Sequence, residues 1–350
     1  MELTAGLDVG GAHLKVALVE GDRVVAVEQH LCPLWQGFDK LDAALAAANP
    51  TISRAAHVAV TMTGELSDLF SNRKQGVDAI VGRLVAQFGP LTQFWMGPRG
   101  FGTGHEAKSN PADTGSTNFL ATAALLGSLP RSETSLLVDF GSTTADVIPI
   151  VRGRATPRGM TDAERQATGE LVYTGHTRTA VMGVATRAPV NGQWVTLARE
   201  YLATMADVRR ILGDDLEHID LHATADGKGK SVAESRVRLA RMLGQDADAM
   251  SGEALRHVAS FIREEQRRSI ADGAMQVLSA AELPATAPVI AAGIGAGEAK
   301  RVALQLDRPC FPFGALVGAT DALRQQVTHN APAVAVALLA AQARPQATRH

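Results

Sequence analysis

One short pattern occurs once in each half of this chain, and it constrains the fold more than any other feature. The first copy reads Leu7-Asp8-Val9-Gly10-Gly11-Ala12-His13-Leu14-Lys15, the second Val138-Asp139-Phe140-Gly141-Ser142-Thr143-Thr144-Ala145-Asp146. Each ends an apolar strand on an Asp, turns on Gly among small or hydroxyl residues, and resumes as a second apolar strand. One such turn is a common hairpin; two, at the heads of two halves, imply a duplicated unit. Gly10, Gly11 and Gly141 lack a Cβ, so a ligand oxygen can come close to amides that point together at an anion. Ser142, Thr143 and Thr144 belong to the same candidate ligand-binding turn. Asp8 and Asp139 are then expected to face each other across a cleft. Two bare carboxylates repel a phosphate, so both are read as ligands of Mg2+, directly or through water. For either copy alone, an Asp that caps a tight turn is the alternative.

The length suffices for two domains, and a 46% hydrophobic, 20% charged composition suits a chain that buries a large core. A formal net charge of −2 gives no electrostatic case for nucleic acid or an anionic membrane, and 4% aromatic residues argue against stacking on single strands. Cys32 and Cys310 are too few and too far apart for a disulfide framework, and read as reduced core residues of a cytoplasmic protein. The N-terminus opens on a strand without the pattern of a secretion signal. The apolar run from Ala331 to Ala343 is too short to span a bilayer and contains Pro332. Oligomeric state is not readable, so a homo-oligomer stays open.

Apolar runs at 2–8, 13–20 and 23–30, split by Gly10-Gly11 and Gly21-Asp22, read as a meander. A helix at Leu41 to Ala48, a strand at His57 to Met62, a helix at 73–88, a strand at Thr92 to Met96, a loop over 97–115 and a helix at Asn118 to Gly127 follow. The second half repeats the order: strands at Ser135 to Asp139 and Thr144 to Val151, then a turn-rich stretch with a strand at Thr179 to Val184. Helices follow near 197–212, 231–243 and 252–281, then a strand at Pro288 to Ala292, a helix at Glu298 to Leu306, a strand at Pro309 to Phe313 and a helix near 317–328. Three strands, helix, strand, helix, strand, helix, twice, is the layout of the actin, sugar-kinase and Hsp70 superfold. The expected fold class is therefore α/β, with duplicated ribonuclease-H-like domains and a cleft between them. The expected division is 1–130 and 131–330, the second with a helical insertion at about 156–250, and a C-terminal tail at 331–350.

Lys15 and Asp146 occupy equivalent positions, so the halves differ in charge there, as a directional transfer site requires. Glu65, in Thr61-Met62-Thr63-Gly64-Glu65-Leu66-Ser67-Asp68, follows a buried strand, where open α/β sheets bind ligands. It is read as a base or as a holder of a substrate amine, with helix capping as the alternative. Gly293 and Gly295, in Gly293-Ile294-Gly295-Ala296-Gly297, resemble a nucleotide-supporting turn before a helix, although a plain connection fits as well. Asp226, Lys228, Lys230 and Ser231 lie in a glycine-rich polar segment that suits either phosphate or solvent. His13, His105, His176 and His222 have no metal-ligand spacing, and no Gly-x-Ser-x-Gly elbow supports a covalent hydrolase.

Taken together, the two Asp-Gly patterns, Met62-Thr63-Gly64-Glu65-Leu66-Ser67-Asp68 with Gly76-Val77, and Thr224-Ala225-Asp226-Gly227 through Arg241-Met242 resemble the hydantoinase/oxoprolinase-like proteins linked to tetrahydromethanopterin-dependent one-carbon transfer. The resemblance implies a transferase of methanofuran or methylofuran cofactor biosynthesis. In that reaction an aminomethylfuran-methyl diphosphate loses pyrophosphate to the phenol oxygen of a tyrosine or tyramine derivative. Asp8, Lys15, Glu65 and Asp146 would then be catalytic, with Mg2+ on Asp8 and Asp139, and Glu65 or Asp146 would take the phenol proton. An ATP-dependent small-molecule kinase or an amide-ring hydrolase on the same fold is the competing expectation, and a nucleotide-gated assembly protein a weaker one.

Overall fold

Both Asp-Gly patterns fold as hairpins closed by the same bond. The Gly10 amide donates to the His13 carbonyl at 3.0 Å, and the Gly141 amide to the Thr144 carbonyl at 2.9 Å. The computed structural model of the protein describes residues 2–344. Its first half runs β1 (Leu3–Val9), β2 (His13–Glu20), β3 (Arg23–Leu31), α1 (Phe38–Ile52), β4 (His57–Met62), α2 (Arg73–Phe88), β5 (Gln93–Trp95), β6 (Phe101–Gly102), α3 (Gly104–Ser109), α4 (Pro111–Thr114) and α5 (Asn118–Ser128). The second half begins with β7 (Ser135–Phe140), β8 (Ala145–Val151), β9 (Arg154–Ala155), α6 (Asp162–Thr168) and β10 (Leu171–Val172). After these come β11 (Arg187–Val190), β12 (Gln193–Thr196), α7 (Met205–Leu212), α8 (Val232–Met242) and α9 (Gly252–Ala280). It ends with β13 (Val289–Ala292), α10 (Ala296–Gln305), β14 (Cys310–Pro312), α11 (Arg324–His329) and α12 (Ala331–Gln342).

One sheet has the order β3-β2-β1-β4-β5-β6, the other β10-β8-β7-β13-β14. From β3 to β5 and from β10 to β14 the two orders match, because β1 and β7 each pair antiparallel with the next strand and parallel with β4 or β13. The α/β fold is therefore the duplicated ribonuclease-H-like architecture of the actin/sugar-kinase/Hsp70 superfold. Helices α5 and α12 lie between the sheets, in one core cluster that takes Ala17 and Ala59 from one and Leu137, Ile148 and Ile290 from the other.

The expected tail at 331–350 is corrected as far as residue 342; residues 345–350 lie outside the described residues. Ala331–Gln342 is buried nearly all round, which suits a helix walled in on every side. Pro332 sits in its first turn, where a missing N–H costs nothing. The helix crosses β1 so closely that a Cβ on Gly6 would stand 2.2 Å from the Ala333 carbonyl oxygen and 2.6 Å from the Ala337 nitrogen. Gly6→Ala must push the helix backbone away, and is expected to destabilise the fold by about 1–3 kcal/mol in urea melts. A neutral effect would mean that α12 is not held at this distance.

Five other expectations need correction. The 97–115 segment is not one loop but carries β6, α3 and α4, and Thr103 and Glu106 form a capping box at the start of α3. The strand expected at Thr179 to Val184 is a single 3-10 turn, Val181–Gly183. The helix expected from 197 starts only at Met205, after Thr204 caps it. The β11–β12 hairpin, α7, α8 and the start of α9 share a separate apolar cluster, so the inserted region is mixed rather than purely helical. Cys32 is buried as expected, whereas Cys310 is half-exposed at the sheet edge.

Candidate active site

Hairpin register builds the centre of the site. Tight closure of the two turns sets Lys15 opposite Asp8 and Asp146 opposite Asp139 across the paired strands. Lys15 Nζ donates to Asp8 Oδ2 at 3.1 Å. All four side chains line one cavity of about 710 Å³, together with the Gly10, Gly11 and Gly141–Thr144 turns. That volume suits a small-molecule site. Asn118 and Pro332 also line it, so α5 and α12 both begin at its wall, an end that favours anions.

Negative charge is concentrated at the centre. Burial pushes the Asp139 carboxyl up to about 7; Lys15 opposes this, and Asp146 and Asp8 add to it. Burial also raises Asp146 against the pull of Arg165, whose Nη1 lies 2.6 Å from Asp146 Oδ1. Burial disfavours the Lys15 charge, but Asp8, Asp139 and Asp146 outweigh it and hold the ammonium above the ordinary lysine value. Asp8 Oδ1 is buried with no partner. Lys15 thus faces Asp8 and Asp139, while Arg165 answers Asp146.

The structure places Glu65 elsewhere. Its side chain is 0% exposed and accepts from Ser116 Oγ at 2.6 Å, and Ser116, not Glu65, reaches the cavity wall. Burial lifts it to about 7, opposed by the Ser116 bond and by Arg73. Asp68 and Asp162 are the carboxylates that do line this end. Gly293 and Gly295 are not on the wall. A Cβ on Gly293 would stand 2.4 Å from the Phe140 carbonyl oxygen, and one on Gly295 2.2 Å from the Phe140 ring, so both glycines serve close packing behind Asp139. The Thr224-to-Ser231 segment also lies outside the cavity: Asp226 accepts from Arg238 at 3.0 Å and Ser231 caps α8.

Trp35, His13, Tyr173 and Arg178 line the cavity too, beside the second Asp-Gly turn. The Arg178 guanidinium lies 4.9 Å from the Trp35 ring centre, and His222 stacks on the same ring at 5.6 Å. Arg178 Nη1 donates to Thr143 Oγ1 at 2.8 Å. Burial lowers the Arg178 pKa, and only Tyr201 and Tyr173 act against it. His13 stays well below the ordinary histidine value through burial, then His222, Lys15 and Arg178, so it is neutral. Sequence reading missed Trp35, Tyr173 and Arg178, which come from separate connecting segments, and it missed Asp162 and Arg165, whose local signal was the Thr161-to-Glu164 capping box.

A sequence profile of the hydantoinase/oxoprolinase family matches residues 56–310. The chain belongs to this family. It is 32% identical over 250 residues, 71% of this chain and 74% of the relative, to (4-{4-[2-(γ-L-glutamylamino)ethyl]phenoxymethyl}furan-2-yl)methanamine synthase of Methanocaldococcus jannaschii. The synthase of the same name from Methanococcus vannielii is 33% identical over 125 residues, covering 35% of this chain and 55% of the relative. Among solved structures, nucleotide-free acetone carboxylase superposes over 96% of this chain and 70% of its own with a TM-score of 0.54 at 12% identity, a likeness of fold alone. Among the described residues no helix is long and apolar enough to cross a membrane.

Proposed function

We propose that this chain condenses an aminomethylfuran-methyl diphosphate with the phenol of a tyrosine or tyramine derivative, releasing pyrophosphate, in the biosynthesis of a methanofuran-type cofactor. The observation that carries this reading is the 32% identity to a synthase whose name describes an aryl ether, a phenoxy oxygen bonded to a furan methylene. The cavity supports it. One glycine turn, one glycine- and hydroxyl-lined turn and two helix starts suit a diphosphate, while the turn at Gly293 is packed shut against Phe140. That closed turn weighs against adenine-nucleotide chemistry.

The bookkeeping of the reaction is simple. The phenol oxygen bonds to the furan methylene, the methylene–oxygen bond to diphosphate breaks, and its electron pair leaves with pyrophosphate. The electron-rich furan carries the positive charge that develops at the methylene, so the protein mainly stabilises the leaving group. Asp8, with its unpartnered oxygen, and Asp139 would hold Mg2+. With two protein carboxylates, such an ion would keep waters and take substrate phosphate oxygens in its remaining positions. When bound, Mg2+ neutralises charge on the departing pyrophosphate. Lys15 orients Asp8 and offsets its charge. We assign the phenol proton to Asp146, which lines the cavity, and not to Glu65, which reaches it only through the Ser116 hydroxyl. Asp68 and Asp162 give the aminomethyl ammonium its countercharge.

Purified protein with Mg2+, the furan diphosphate and tyrosine or tyramine is expected to release pyrophosphate and form an aryl ether, read by mass spectrometry. Formation of ADP from ATP with no ether would overturn the proposal. Pyrophosphate with Mg2+, at about 100 times its dissociation constant, should add about 2.7 kcal/mol of stability in a thermal shift, and ATP should add none.

A further inference from the structure

Three strong cations line the cavity, and two of them are already taken. Lys15 is bonded to Asp8, and Arg165 bridges Asp146 and Asp162. The third, Arg178, has no carboxylate within ion-pair distance among the described residues, although burial disfavours its charge. Among the described residues its only polar side-chain bond is to Thr143, in the second Asp-Gly turn. A half-buried guanidinium without a counter-ion is costly, and it is held here by deliberate means.

The means are visible. The Arg178 amide donates to the Ser142 carbonyl at 3.1 Å and the His176 amide to the Gly141 carbonyl at 2.9 Å, so the segment is strapped along the turn. Gln266 holds the start of the segment through Thr174 Oγ1 and the Gly175 carbonyl, both at 2.8 Å, and accepts in turn from Arg209, which also bonds Glu298. Any side chain on Gly175 would collide with the Ser142 carbonyl, at 1.9 Å, so the approach is as close as a backbone allows. Trp35, from the other half, supplies the face on which the guanidinium rests.

We infer that Arg178 is the principal cationic anchor of the leaving diphosphate, held by Trp35 and Thr143 so that its free N–H groups meet a phosphate arriving at the second turn. This rests on the transferase reading above and adds the residue that receives the charge. Arg suits the task because its planar fork binds two phosphate oxygens at once, which an ammonium cannot do. A carboxylate on the acceptor is the competing anion for Arg178, and the test separates the two.

Titration calorimetry of pyrophosphate with Mg2+ is expected to show binding to the wild type and a loss of about tenfold or more in Arg178→Gln, which keeps a donor for Thr143. Arg178→Lys should recover only part of the loss. The KM for the furan diphosphate should rise in step while the KM for the phenol stays level. Melting without ligand should not fall in Arg178→Gln, since no ion pair is broken and a costly buried charge is removed; were it unfolded, Arg178→Lys would carry the comparison. Pyrophosphate binding equal to wild type in the folded variants would overturn the inference. So would weakened tyrosine binding with pyrophosphate binding intact, which would assign Arg178 to the acceptor. A wild type that binds no pyrophosphate would instead overturn the transferase reading itself.

Discussion

Asp8→Asn and Asp139→Asn, each alone, are expected to lower ether formation by roughly 10²–10³-fold, the usual cost of removing one precisely placed electrostatic group. The two residues come from different halves but line one cavity, and each is the buried acid two residues before the first glycine of its turn. In Asp8→Asn the Lys15 ammonium loses its bonded carboxylate yet keeps Asp139 and Asp146 nearby, so the lysine stays charged and the hairpin intact. Neither change opens a void. Far-ultraviolet circular dichroism should match the wild type, and the loss should not be restored by more substrate, because the missing term acts on the departing pyrophosphate. Near-wild-type turnover in either variant would remove the paired-turn cleft from the mechanism.

The parts of this site that were legible in the sequence are those fixed by local geometry. A tight hairpin sets its own register, so counting from Asp8 to Lys15 and from Asp139 to Asp146 locates two cross-strand pairs before any fold is known. Repetition of that hairpin, with matching strand spacing, carries the duplicated sheet. What was hidden depends on tertiary contact. Trp35 precedes α1, Arg178 follows β10 and His222 precedes α8, and nothing in their neighbourhoods announces that they meet. Glu65 failed for a different reason: the strand end before it is correctly read, but the 3-10 turn at Gly64–Leu66 carries its side chain inward, under Gly115 and Gly76. Gly293 and Gly295 look like a ligand turn because a glycine that admits a phosphate and one that admits a neighbouring strand are identical in sequence. Helix α12 was misjudged because an apolar run with an early proline reads as a tail unless its burial on both sides is known.

Glu65 also makes the protein's stability depend on pH in a direction opposite to most carboxylates. Its folded-state pKa is about 7 against an ordinary 4.5, with burial as the main cause. Between those values the folded chain keeps a proton that the unfolded chain has released, so the folded state binds more protons and stability falls as pH rises. The contribution is complete below pH 4.5 and lost as the pH passes about 7. Its full size is about 3 kcal/mol at 1.36 kcal/mol per unit. Asp139, also raised to about 7, acts with the same sign, so wild type alone does not isolate Glu65. Glu65→Gln does. Glutamine retains an oxygen for the Ser116 hydroxyl but has no proton to lose, and any packing penalty it brings is the same at every pH. Urea melts at pH 5 and pH 8 are therefore expected to show the wild type losing about 2–3 kcal/mol more than Glu65→Gln over that interval. Parallel losses in the two proteins would mean that Glu65 is ionised in the fold throughout. The buried carboxyl behind Ser116 would then carry a charge, available to the cavity through the serine hydroxyl.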